Sequence, residues 1–356
     1  MECGEYIKME KEYSKDYNIG DVFIYNNLLE ISVSKYGYFD IVGYVSNDIP
    51  EVLILPSEID GLKAKCIKKN SFFYCDLLKT VIVSEGYEEI EREAFAYSSL
   101  EKLELPSTLK YIDCFCTRGC MSLEKIIVNP NNEKYDSRYS CNAVNVSVLD
   151  RMIIGCKNTI IPQGIRSIEY SVFVIGFSAA RFEYDLYIPG TVNCIYGINS
   201  NLVPSKCLLS GLRDLILERP LPDIIGTNGL ISYIASTKLT LWFPRKYSGL
   251  KAKCDDKRYK FRYYDYLPIQ LDLDKDGIII PKINESGENK YNNKDGIFRV
   301  YKRVYDIKED IWKNVTGIGD FAFTDCKVNK IIIPKELRDN ISPLAFVNYE
   351  GEIEYE

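Results

Sequence analysis

An apolar triplet recurs along this chain with a period of 22 or 23 residues. Leucine, isoleucine or valine stands at its first, fourth and sixth positions, as in Leu100, Leu103 and Leu105. A fixed period of roughly 20–29 residues is typical of solenoids, in which each period forms one coil. A single coil cannot bury its own apolar face, so the pattern restricts the chain to folds that stack coils on a shared core. The contiguous copies are Leu78-Val81-Val83, Leu100-Leu103-Leu105 and Leu123-Ile126-Val128.

Each period also carries an isoleucine ahead of the triplet and, in most copies, an Ala-Phe pair. We expect these side chains to fill the wall of the core opposite the triplet, with Phe95 as the largest. A proline such as Pro106 follows the predicted strand and ends it, because proline has no N–H to donate to a ladder. The same spacing returns near the C-terminal end and predicts further coils there. The isoleucines are Ile67, Ile90 and Ile112, and the later copies are Ile318, Ala322-Phe323, Ile341 and Ala345-Phe346.

The fourth and sixth positions of each triplet, together with their neighbours, predict a short strand whose side chains alternate between the core and the outside. Leu103 and Leu105 should point inward, whereas Lys102 and Glu104 should point outward. Solenoids commonly bind partners on the extended face that such outward residues form. A plainer alternative is that β-branched residues stand there because strands favour them. The candidate binding residues on this strand face are Thr80, Ile82, Lys102, Glu104, Lys125, Ile127, Asp185 and Tyr187.

Two stretches of the chain resemble a known family. The spacing Ile-Pro-x-x-Leu-x-x-Ile-x-x-x-Ala-Phe-x-x-Cys-x-x-Leu is that of BspA-like leucine-rich repeats, found in surface proteins of gut and oral bacteria and some protists. Residues 131–168 are similar to a segment that such proteins insert between coils. The resemblance covers about residues 38–200 and 311–350. It implies a β-rich solenoid, a right-handed coil of short parallel strands with a hairpin insertion and an irregular β-rich segment, and a role in adhesion or contact with host cells.

The repeat pattern weakens in the middle of the chain and suggests four segments. Residues 1–50 are expected to form N-terminal cap strands. Residues 51–200 are expected to form a leucine-rich repeat block, with the hairpin insertion near 131–158. Residues 201–310 keep only fragments of the pattern, so they are either degenerate repeats or an inserted β subdomain. Residues 311–356 are expected to form the C-terminal repeats.

Composition excludes several classes of function. The chain has no histidine, which excludes Ser-His-Asp and Cys-His nucleophiles and zinc sites that use imidazole. A net charge of −6 argues against nucleic-acid binding, and no apolar run is long enough to predict a membrane span. The first residues lack the basic start and apolar run of a secretory signal, so the chain as given is expected to be cytoplasmic. The family habit would instead place it on the cell surface or outside the cell.

Two motifs could in principle hold a metal ion. Asp272-Leu273-Asp274-Lys275-Asp276-Gly277 matches the first half of a calcium loop, but Ile283 stands where the bidentate glutamate belongs, which favours a plain Asp-Gly turn. Cys114, Cys116 and Cys120 have no fourth ligand at a typical zinc spacing. The 12 cysteines are therefore interpreted as small buried hydrophobes, and no metal or cofactor is expected.

These observations predict a non-enzymatic interaction module that binds a protein or glycan partner through the exposed strand face. The alternative is a hydrolase or transferase with its site in the irregular region 200–310, which would require two facing carboxylates or a desolvated Cys-Lys pair in a pocket. The sequence identifies neither the partner nor the oligomeric state.

Overall fold

The protein is a β-solenoid of about nine coils with mostly parallel strands and little helix, which confirms the predicted fold class. It divides into two compact units. The first is Met1–Glu183, Thr191–Gly211 and Pro222–Ala235, and the second is Tyr184–Gly190, Leu212–Leu221 and Ser236–Glu356. The computed structural model describes residues 17–35, 37–45, 49–173, 186–196, 214–219, 240–247, 260–264, 271–282, 289, 291, 296–306 and 311–356.

The strands are two to seven residues long. Those of the first unit are β1 (Val22–Tyr25), β2 (Leu29–Lys35), β3 (Tyr38–Tyr44), β4 (Val52–Ile54), β5 (Glu58–Ile59), β6 (Leu62–Ile67), β7 (Thr80–Ile82), β8 (Glu89–Ile90), β9 (Lys102–Leu105), β10 (Tyr111–Ile112), β11 (Lys125–Val128), β12 (Tyr135–Asp136), β13 (Val144–Val146), β14 (Arg151–Ile154), β15 (Ser167–Glu169) and β17 (Cys194–Tyr196). Those of the second unit are β16 (Leu186–Ile188), β18 (Asp214–Leu217), β19 (Thr240–Pro244), β20 (Lys260–Tyr264), β21 (Ile278–Ile279), β22 (Ile297–Arg299), β23 (Arg303–Asp306), β24 (Ile311–Asn314), β25 (Gly317–Ile318), β26 (Lys330–Ile333) and β27 (Glu352–Tyr355). Short 3-10 helices include Arg138–Ser140, Ser147–Leu149, Tyr170–Phe173 and Lys335–Asn340.

Two sheets carry the first coils of the first unit, and a third, with the order β12-β13-β14-β15-β17, contains the hairpin insertion and the coil strands that follow it. One has the order β1-β2-β3-β6-β8-β10, with β5 attached to β6, and its first three strands are antiparallel. The other has the order β11-β9-β7-β4 and is parallel throughout. We call this second sheet the ladder sheet, because its outward residues form the predicted ladder.

The repeat positions coincide from coil to coil, as the period predicts. Ile90 is paired with both Ile67 and Ile112, and all three are buried. The ring of Phe95 stacks on that of Phe72, with the centroids 5.4 Å apart. The triplet residues are buried beside them, so one continuous apolar core runs through the stacked coils.

The coil that begins at Ile112 lacks the Ala-Phe pair and has Cys116 and Thr117 in its place. The N–H of Phe95 donates to the carbonyl oxygen of Cys116, just as the N–H of Phe72 donates to that of Ala94. Cys116 therefore occupies the alanine position and Thr117 the phenylalanine position, and both are buried. The backbone of the coil is kept although the sequence pattern is lost.

The predicted hairpin insertion is confirmed. Strand β13 pairs antiparallel with β12 and β14, whereas β14 then pairs parallel with β15 and so returns to the solenoid. Asn132, just before β12, donates from its side-chain amide to the carbonyl oxygens of Pro106, Ser107 and Leu109. This amide ties the start of the insertion to the preceding coil.

In the ranges that the structure describes, the second unit has three groups of parallel strands and one hairpin. Strands β16, β18, β19 and β20 form a parallel sheet, β22, β26 and β27 form another, and β21 pairs with β25. The hairpin is β23 with β24. Phe323 stacks on Phe346 at 5.6 Å, and Ile318 bridges to Ile341, so the C-terminal repeats have the predicted spacing.

Candidate binding surface

The outward side chains of the ladder sheet lie in two straight rows. The four strands are parallel and in register, so each outward position meets its counterpart on the next coil. Because side chains alternate along a strand, the two outward positions of each strand are separated by one inward residue. The first row is Val52, Thr80, Lys102 and Lys125, and the second row is Ile54, Ile82, Glu104 and Ile127.

The centre of this surface shows the predicted alternation. Leu103 and Leu105 point inward and are buried, whereas Lys102 and Glu104 point outward and are partly exposed. Lys102 and Glu104 form an ion pair with each other. Since the two charges neutralise one another, the centre of the surface presents little net charge.

One end of the first row carries a cation. Lys125 is exposed, and it forms no ion pair with any residue in the part of the chain that the structure describes. Its neighbour along the row, Lys102, is already paired with Glu104. Lys125 is therefore available to a carboxylate from outside the chain.

The other end of both rows is aliphatic and was missed by the sequence reasoning. Val52 and Ile54 on β4 are 56% and 63% exposed. A signal was present, because Leu53, Leu55 and Pro56 repeat the spacing of the strand that ends at Pro106. The isoleucine and the Ala-Phe pair are missing ahead of β4, so its residues were not among the candidates, although β4 is the first strand of the ladder sheet.

The candidate residues Thr80, Ile82, Lys102, Glu104, Lys125 and Ile127 thus lie together on one surface. The remaining two belong to the second unit. Asp185 lies outside the described residues. Tyr187 does not lie on an exposed face, because its side chain is only 5% exposed, and that placement was wrong.

The burial of Tyr187 has a clear physical cause. Its register partners on the outward side of the sheet are Ile216 and Trp242, and the three pack in one cluster with Tyr301. The hydroxyl of Tyr187 donates to the carboxylate of Glu218. The outward side of β16, β18 and β19 is therefore covered; we call these three strands and β20 the covered sheet.

A buried carboxylate stands at the edge of this cluster. The Trp242 Nε1–H donates to Asp214 Oδ1 at 2.6 Å, and Arg299 Nε lies 3.1 Å from Asp214 Oδ2. Oδ1 thus accepts a hydrogen bond, and Oδ2 is ion-paired with Arg299 but accepts no hydrogen bond. Asp214 lies in the region where an enzymatic site was the alternative, and both of these interactions are with groups of the protein itself.

Neither metal motif forms a metal site in the described residues, which contain no group of three or more His, Cys, Asp or Glu side chains able to hold an ion. The carboxylate of Asp274 accepts the N–H groups of Asp276 and Ile278, and Asp272 is paired with Lys282. The acidic motif thus caps a turn.

The described cysteines are free, and most are buried, which agrees with their interpretation as small hydrophobes. Cys120 lies in the core, where its thiol donates to the carbonyl oxygen of Phe95. Burial raises the pKa of Cys120 to about 11, so the thiol stays protonated at neutral pH.

No helix in the described ranges has the length and apolar character needed to span a membrane.

Comparison with known proteins agrees with this architecture. The family described as BspA type leucine rich repeat region matches residues 58–173 and 285–352, in six copies, which is just over half of the chain. No curated protein matches the chain.

Three solved structures of leucine-rich proteins show low similarity to this chain. A leucine-rich repeat protein from Eubacterium ventriosum is 14% identical, with 89% of this chain and 88% of that chain covered and a TM-score of 0.31. A leucine-rich cell surface protein from Faecalibacterium prausnitzii is 12% identical, with 96% and 78% covered and a TM-score of 0.24. A leucine-rich repeat protein from Bacteroides ovatus is 10% identical, with 94% and 99% covered and a TM-score of 0.27.

Proposed function

The chain belongs to the BspA-type leucine-rich repeat family, and on this premise we propose that it is a non-enzymatic module that binds a protein partner through the ladder sheet. The observation that carries the proposal is the pair of exposed rows on four stacked strands. An extended array of this kind offers one rigid surface across several coils, which is how solenoids commonly recognise partners.

The chemistry of the rows favours a protein over a glycan at this surface. Val52, Ile54, Ile82 and Ile127 supply aliphatic area, which gains free energy when it is removed from water. Lys125 adds a cation at one end. An extended peptide segment with aliphatic side chains and a carboxylate complements both features, whereas a sugar would leave the aliphatic side chains poorly covered. Adhesion to a host or neighbouring cell would be one use of such binding.

The proposal can be tested with peptides selected from a phage-displayed library against the intact chain. We expect the selected peptides to combine aliphatic residues with a carboxylate. Ile54→Lys should weaken their binding by about tenfold or more, since it places a cation in the aliphatic end of the surface. Lys125→Glu should weaken it through charge reversal and make the remaining binding less sensitive to salt.

The matched control is Val148→Lys, because Val148 is an exposed aliphatic residue on the hairpin insertion, outside the ladder sheet. It should bind the selected peptides as tightly as the wild type. Equal binding by Ile54→Lys and the wild type, measured by biolayer interferometry, would show that the partner surface lies elsewhere.

A further inference from the structure

A column of aromatic rings lies on two successive turns of the first unit, outside the ladder sheet. Tyr74 stacks on Tyr97, with centroids 5.1 Å apart and ring planes 17° from parallel. Phe73 stands edge-on to both rings, at 4.7 and 5.4 Å. Tyr74 is 59% exposed, so a large aromatic face meets solvent although the core beneath it is complete.

Both tyrosines stand in a backbone conformation that disfavours them. Their φ angles are 55° and 58°, in the left-handed region, where a bulky side chain is an outlier. The next coil has glycine at the corresponding position, Gly119, with φ of 80°. The hydrogen bonds fix the correspondence, because the N–H of Tyr74 donates to the carbonyl oxygen of Ala96 and that of Tyr97 to Arg118.

The second unit confirms what this position requires. Asp325 and Asn348 stand there with φ of 53° and 58°, and the N–H of Asp325 donates to the carbonyl oxygen of Val347. Asparagine and aspartate tolerate the left-handed region, as glycine does. The coil therefore favours a small polar residue or glycine at this turn, and its geometry does not account for two tyrosines.

The neighbouring coil leaves room for the rings. A Cβ atom on Gly119 would lie 2.4 Å from Cδ1 of Tyr97. Because glycine has no side chain, the Tyr97 ring can pack directly against it. One face of Tyr97 thus rests on the glycine and the other on Tyr74. Tyr74 is left as the exposed end of the column.

Polar groups lie beside the rings. Arg118 Nη1 donates to Glu93 Oε1 at 3.2 Å, and both side chains influence the pKa of Tyr97, which burial raises. Unlike the aliphatic ends of the ladder sheet, this surface combines flat aromatic faces, phenolic hydroxyls and an ion pair within two turns. Tyrosine suits such mixed recognition because it presents apolar area with a polar handle at low entropic cost.

We propose that the exposed ring of Tyr74, positioned by the Tyr97 ring on which it stacks, forms a carbohydrate-binding platform, separate from the ladder sheet, for β-1,4-linked pyranose chains. A pyranose whose hydroxyls are equatorial presents its C–H groups on one flat face, and that face matches an exposed aromatic ring. Its hydroxyls point sideways, where the Tyr74 hydroxyl can form hydrogen bonds. This site goes beyond the proposed protein-binding function and does not depend on it.

The test is isothermal titration of the intact chain with short β-1,4-linked oligosaccharides of glucose, mannose, xylose and N-acetylglucosamine. We expect the wild type to bind at least one of them. Tyr74→Asn should weaken that binding by about tenfold, the size of one lost aromatic contact. Tyr97→Asn should weaken it less, because Tyr97 positions the Tyr74 ring and does not itself touch the sugar. Both variants should fold with an unchanged or slightly raised melting temperature, because Asn348 occupies the same position in the second unit.

Two controls separate this site from others. Asp325→Asn changes the equivalent position of the second unit and should leave oligosaccharide binding unchanged. Ile54→Lys, which weakens peptide binding in the ladder sheet, should also leave it unchanged, so the two proposals fail independently. The platform is ruled out if the wild type binds none of the oligosaccharides, or if the double variant Tyr74→Asn, Tyr97→Asn binds as tightly as the wild type.

Discussion

The ladder sheet and the covered sheet place residues at the same outward positions of a coil, yet these residues have different surroundings. In the ladder sheet, Ile54 is exposed and Ile82 partly exposed. In the covered sheet, Ile216 and Trp242 are buried under Tyr301. The alternation along a strand decides which side chains point outward, whereas other parts of the chain decide whether that side is open.

The charges of the two sheets differ in the same way. The Lys102–Glu104 pair of the ladder sheet is partly exposed, so water screens it and its contribution to stability is small. Asp214 in the covered sheet is buried against Arg299 and the Trp242 indole. Removing one partner of a buried pair is costly, because the other is left without its partner in a medium that solvates charge poorly. An outward residue is thus a candidate for binding only where its sheet is open.

The largest effect is expected on the outward side of the covered sheet, where Trp242 is buried. Trp242→Ala should destabilise the protein by about 3–5 kcal/mol, since it removes a buried ring and the hydrogen bond to Asp214. Ile82→Ala, at an outward position of the ladder sheet, should cost less than about 1 kcal/mol. Urea denaturation followed by far-ultraviolet circular dichroism measures both, and equal losses would remove the distinction between the two sheets.

The second prediction tests which side chains of strand β9 point into the core and which point outward. Leu103→Ala should cost about 2–5 kcal/mol, because Leu103 is fully buried between Val81 and Ile126 of the adjacent coils. Lys102→Ala and Glu104→Ala should each stay within about 0.5 kcal/mol of the wild type. The same denaturation experiment measures the three variants. Similar destabilisation by all three would contradict the alternation on which the binding surface depends.

These two tests also separate what the sequence could predict from what it could not. Period and alternation are local, so the burial of Leu103 and the stacking of Ile90 on its counterparts followed from spacing alone. The burial of Tyr187 depends on Tyr301, which is distant in sequence and carries no repeat signature. Likewise Val52 and Ile54 were missed because the first ladder strand lacks the rest of the coil pattern. A local period therefore cannot predict which outward side chains are covered by residues distant in sequence, or a first coil that lacks the full repeat pattern.

A carboxylate of intermediate exposure extends the comparison between the charged residues of the two sheets. Asp136, on the hairpin insertion, has a side chain about a quarter exposed, between the open Glu104 and the buried Asp214. Burial alone would raise the pKa of Asp136, but hydrogen bonds from Arg138, Ser147 and Asn145 outweigh it and lower the pKa to about 2.

The direction of the pH effect follows from that shift. An unfolded aspartate has a pKa of about 3.9, so the folded protein gains stability from Asp136 above that value and loses it as the pH falls towards 2. Between pH 7 and pH 3 the wild type should lose roughly 1 kcal/mol more stability than Asp136→Asn, which has no carboxylate to protonate. Asp76→Asn, at an exposed aspartate, should retain the pH dependence of the wild type. Parallel stability curves for the wild type and Asp136→Asn, measured by urea denaturation, would mean that partial burial adds nothing to a charge network on this solenoid.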